Sequence, residues 1–131
     1  MTSLNPPLPF DRGGKGRGCI LGLDVGTVRI GLATSDALRV MAQPLITLEA
    51  EPQKKSFESM KKLIKEHNIQ RIVVCHQAFA KKLKTQVGVP VVWWDKRRMR
   101  AVRQRLLTGR GHPLAAVLIL QSYLDANKRS W

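Results

Sequence analysis

The chain has 131 residues, 44% of them hydrophobic, which suits one ordinary domain with one core. Its longest apolar run, residues 114–120, is too short for a membrane span, and the N-terminus lacks the apolar core of a secretion signal. Lys and Arg number 23 against 9 Asp and Glu, a net charge of +14, so the expected partner is a polyanion.

Residues 1–18 read as a flexible tail: Pro6, Pro7 and Pro9 precede a Gly/Arg-rich run, which cannot build a core. A targeting role is the other reading, but no Arg-rich amphipathic helix supports it. The domain is expected over 19–131. Strands are expected at 19–25 and 29–35, around a tight turn, and at 43–48, with Pro44 near a start or on an edge. The period then changes. Phe57, Met60, Leu63 and Ile64 fall on one face of a helix over 53–67, with lysines on or near the other. Ile72, Val73, Val74 and Cys75 form a continuous, mostly β-branched run, as in a buried central strand. A short helix at 78–83, a strand at 89–94 and a helix at 97–107 follow. Pro113 suits the first turn of a last helix running to about Asn127. Residues 114–120 are apolar all round, so that helix should be buried. The order β-β-β-α-β-α-β-α-α predicts an α/β fold. Its mixed five-stranded sheet has three antiparallel strands first and helices on both faces.

Asp24 stands among Ile20, Leu21, Leu23 and Val25 in the first strand. A carboxylate in an apolar strand is costly unless it is paired or binds a cation. Three readings fit. Asp24 is a metal-binding residue of an RNase H-like nuclease. Or Asp24-Val25-Gly26-Thr27 is the phosphate loop of an actin-type ATPase, or Asp24 bonds to the turn that follows. Length disfavours the ATPase, which needs two such domains. Basic residues concentrate in the C-terminal half, where Asp95 is the single acid between His67 and Leu124. Lys81, Lys82, Lys84, Arg97, Arg98, Arg100, Arg103, Arg105 and Arg110 are therefore the expected nucleic-acid contacts. Trp93 and Trp94 are neighbours on a strand, so only one can face the core. Cys19 and Cys75 have no metal-type spacing and are expected as reduced thiols.

Residues 21–36 resemble the opening motif of the YqgF/RuvX family. Ala42-Gln43-Pro44-Leu45, Arg71-Ile72-Val73-Val74 and residues 115–124 resemble its third strand, central strand and last helix. The resemblance covers about 19–125. It implies an RNase H-like fold and a metal-dependent nuclease, acting on Holliday junctions or on the precursor of small-subunit ribosomal RNA. Three carboxylates would hold Mg²⁺ or Mn²⁺. Asp24 matches the first. The family's Asp-Glu-Arg motif is here Asp95-Lys96-Arg97, so Lys96 replaces an acid, and His112 falls where the last helix should begin with Asp. Asp95, Asp36 or His112 are the candidate substitutes. Lys96 is alternatively a salt-bridge partner for Asp24. The family's Gly-rich loop after the central strand has no counterpart beside Cys75-His76-Gln77.

The expected function is a nucleic-acid-binding member with cleavage impaired or lost, with ribosomal RNA as the partner and a DNA junction as the alternative. An active metal-dependent nuclease is the second expectation. A structural subunit of an RNA–protein assembly, touching ribosomal proteins, is the third. No membrane partner is expected. The expected compartment is the bacterial cytoplasm, or alternatively a mitochondrial or plastid matrix.

Overall fold

Ile20, Leu21 and Leu23 have no solvent exposure at all, so their strand is covered on both faces. A strand buried on both sides belongs at the centre of a sheet, and there it lies. The computed structural model describes residues 18–95 and 110–128. It places β1 (Cys19–Val25), β2 (Arg29–Ser35), β3 (Ala42–Glu49), α1 (Gln53–Glu66), β4 (Ile69–Val74), α2 (Gln77–Lys84), β5 (Val91–Trp93) and α3 (Pro113–Ala126). The sheet order is β3-β2-β1-β4-β5. β1–β2 and β2–β3 pair antiparallel, whereas β1–β4 and β4–β5 pair parallel. Residues 1–17 of the tail expected over 1–18, Lys96 and the expected helix at 97–107 lie outside the described residues.

Alternation along the strands sorts the core into two layers. Leu21, Leu23, Ile30, Leu32, Ile72 and Val74 meet Phe57, Met60 and Leu63 of α1 and Phe79 and Leu83 of α2. Ile20, Ala33 and Val73 meet Ala116, Ile119, Leu120 and Leu124 of α3 on the other face. Helices thus cover both faces. α3 lies tight against β1: a Cβ on Gly22 would stand 2.7 Å from Leu120 Cβ. Leu120 is fully buried, so Leu120→Ala is expected to lose about 2–5 kcal/mol in a denaturant melt.

Two expectations are corrected. β5 is only Val91–Trp93, because Pro90 lacks an amide and serves instead as acceptor, its carbonyl receiving the Ile72 N–H at 2.9 Å. α3 is not buried all round. Leu114 is 51% exposed, and Val117 and Leu118 are only half-buried, because the sheet covers one side of the helix. The two tryptophans part as alternation requires. Trp94 packs edge-on against Tyr123, with ring centroids 5.1 Å apart, and donates from Nε1 to Ser122 Oγ at 3.0 Å. Trp93 stays exposed. No disulfide joins Cys19 and Cys75. Burial, with the Asp36 charge nearby, pushes the Cys19 thiol above its ordinary value.

Candidate functional site at the carboxyl edge of the sheet

Parallel pairing brings the carboxyl ends of β1, β4 and β5 to one edge. Leu23, Val74 and Trp93 share a rung, so Asp24 lies one residue further on. Its side chain is on the face of Ile20 and Gly22, under the start of α3. Only 2% of Asp24 is exposed. Its Oδ2 accepts the backbone N–H of Gly111 at 2.8 Å and of His112 at 3.0 Å. A buried carboxylate so bonded answers part of its desolvation cost. These two partners are in the segment entering α3.

Two glycines make this close approach feasible. Gly31 pairs with Asp24 across the β1–β2 ladder. A Cβ there would sit 2.2 Å from the His112 carbonyl carbon. Gly111 has φ +73, and a Cβ on it would sit 2.0 Å from the Arg29 carbonyl oxygen. The left-handed conformation turns both amides toward Asp24 at little steric cost for glycine alone.

His112 is the N-cap of α3. Its Nδ1 accepts the Leu114 N–H at 3.0 Å, and Pro113 opens the helix. An imidazole whose Nδ1 accepts carries its proton on Nε2 when neutral, and that nitrogen is then a donor rather than a metal ligand. His76 caps α2 in the same way, accepting the Phe79 N–H at 3.1 Å. β4 passes to α2 through Cys75 and His76 alone, so no Gly-rich loop stands between them.

Asp95 lies just past β5 at the same edge as Asp24. The β4 strand intervenes, which implies a backbone separation of about 10 Å. Asp36 is excluded as a substitute ligand. It follows β2 at the opposite end of β1, where Ser35 Oγ accepts the Ile20 N–H, roughly 16 Å from Asp24 along the strand. Its own carboxylate accepts the Val40 and Met41 amides in the β2–β3 connection. Among the described residues no three His, Cys, Asp or Glu side chains come together as a metal site. The donor set of the described residues alone does not make up a divalent-ion site.

Lys81, Lys82 and Lys84 are exposed on α2, and Arg110 is exposed beside Gly111. Arg97, Arg98, Arg100, Arg103 and Arg105 lie outside the described residues. Sequence reasoning missed Gly31 and Gly111. The signal for Gly111 was available, since a glycine two residues before a helix-opening proline marks a turn.

The family profile described as "RuvX: Holliday junction resolvase" matches residues 18–126. The chain belongs to the RuvX family. A Thermoanaerobacter pseudethanolicus protein named "Putative pre-16S rRNA nuclease" is 34% identical, over 83% of this chain and 97% of its own. A Shouchella clausii protein of the same name is 35% identical, over 80% of this chain and 93% of its own. The T. thermophilus RuvC solved with a Holliday junction substrate shares the fold. Its TM-score is 0.55 at 16% identity, covering 86% of this chain and 97% of RuvC. The fold is therefore RNase H-like. The Thermoanaerobacter alignment runs over 135 positions but only 83% of this 131-residue chain, so that RuvX relative carries residues with no counterpart here. No helix among the described residues is long and apolar enough to cross a membrane.

Proposed function

We propose that this RuvX-family chain binds ribosomal RNA and has lost metal-dependent strand cleavage. The observation that carries this reading is the engagement of Asp24. Its Oδ2 receives two backbone amides, a role in holding the backbone. The neighbouring His112 supports it, because capping α3 through Nδ1 and ligating through Nε2 need opposite tautomers. The net charge of +14 supports retained affinity for a polyanion, and the relatives' name points to the small-subunit rRNA precursor as the strand bound.

Binding of labelled precursor rRNA, followed over a salt series, is the test. Neutralising about five phosphates of a single strand predicts about a hundredfold loss of affinity between 50 and 200 mM salt. The expected result is that loss, with intact RNA at every Mg²⁺ and Mn²⁺ concentration and equal binding by Asp24→Asn. Metal-dependent cleavage that Asp24→Asn abolishes would overturn the reading. Asp95, at the same edge, favours that second reading of an active nuclease on rRNA or a four-way DNA junction. In that case Asp95→Asn should abolish cleavage as well.

A further inference from the structure

The other face of the same edge holds a cleft of about 290 Å³. It lies on the α1/α2 side, away from the Asp24 carboxylate. Three segments wall it: the β1–β2 turn with Thr27, the β3–α1 connection with Glu51 and Gln53, and the first turns of α2 with His76 and Lys82. Ile30 and Phe79 floor it, and both belong to the buried core. Phe79 is held by Phe57, 5.6 Å away between ring centroids. An apolar floor with a few converging polar groups is the build of a small-ligand site.

The chemistry differs from wall to wall. On the α2 side stand Lys82 and His76. Because His76 Nδ1 accepts the Phe79 N–H, its Nε2 is a hydrogen-bond donor. The first turn of α2 carries no acidic residue to oppose its positive end. That wall suits a phosphate. On the opposite wall Glu51 and Gln53 offer acceptor oxygens, which suit the amino and imino donors of a base edge. The carboxylate there disfavours a second phosphate. The volume admits one nucleotide and no duplex, and RNA is read mainly through bases that are splayed out of single strands.

We infer that this cleft takes one nucleotide of single-stranded RNA, its phosphate against Lys82 and His76 and its base toward Glu51 and Gln53. The inference rests on the RNA-binding reading above.

The test uses the full chain, a fluorescein-labelled ten-nucleotide single-stranded RNA and the duplex of the same sequence. Ala78→Trp fills the cleft from an exposed position of α2 without changing charge. Lys82→Gln removes the cation. Lys65→Gln, an exposed lysine in the last turn of α1, controls for charge alone. The first two are expected to weaken single-strand binding about tenfold, in the range of losing one stacked base, and Lys65→Gln less than twofold. Duplex binding should respond equally little to Ala78→Trp. A 4-thiouridine cross-link should map to the tryptic peptide of residues 40–54, which carries Glu51 and Gln53. If wild type binds RNA while Ala78→Trp binds equally well and the cross-links fall elsewhere, the cleft is refuted and RNA binding stands. If wild type fails to bind RNA at 50 mM salt, the RNA-binding reading falls and this inference with it.

Discussion

Gly31→Ala is expected to lower the melting temperature by roughly 15 °C or more, if the chain folds at all. The new methyl would meet the His112 carbonyl carbon at 2.2 Å, its oxygen at 2.4 Å and the Pro113 nitrogen at 2.6 Å. All three are backbone atoms, so no side-chain rotation relieves the clash. Either α3 lifts from the sheet or β2 withdraws from β1. Lifting α3 breaks both amide bonds to Asp24 and opens the layer around Leu120. A loss of about 4 kcal/mol or more belongs to this kind of change, against a total stability of about 5–15 kcal/mol. Gly88→Ala is the control, because a Cβ there meets nothing within 4 Å. Circular dichroism melts of the two variants check this directly. Equal melting temperatures would mean that α3 does not sit on the β1–β2 ladder as described.

Asp24→Ala should have the second largest effect. It leaves the Gly111 and His112 amides without that acceptor, one in a buried and one in a part-buried bond. At about 1–3 kcal/mol for each of the two lost partners, the expected loss is about 2–6 kcal/mol. Asp24→Asn keeps an acceptor oxygen and should lose about 1 kcal/mol, the difference between a charged and a neutral acceptor. The order Asp, Asn, Ala in melting temperature is thus the signature of a carboxylate that holds backbone. A metal ligand behaves differently. Its ion binds only the folded state and raises the melting temperature with concentration. Under the proposed function, millimolar Mn²⁺ leaves the wild-type melting temperature unchanged. A Mn²⁺-dependent rise that Asp24→Asn removes would return Asp24 to metal binding.

Much of the fold is legible along the chain. β1 and β2 occupy the stretches expected on either side of the tight turn, and α1 begins where the apolar period changes to 3.6. The helix of α2 sits within a residue of its apolar pattern. β5 is less legible, because a short edge strand has few residues to set a pattern and Pro90 truncates it. The exposure of Leu114 is not legible either. An all-apolar helix shows no preferred face, and only the sheet beneath decides which side is covered.

The same division runs through the site. Local chemistry by itself made Asp24 an anomaly that required a partner, and made a polyanion the expected ligand through a charge of +14. These follow from residue types and near neighbours. Tertiary structure alone decided which partner Asp24 has, since Gly111 and His112 are 87 and 88 residues away in sequence. It separated Asp36 from Asp24 by the length of a strand and brought Asp95 to the same edge. It also assembled a cleft from three segments that are not adjacent in sequence. The physical reason is that burial and backbone hydrogen bonding create the need for a contact locally, whereas strand order, register and the glycine-permitted approach of α3 determine which distant group meets it.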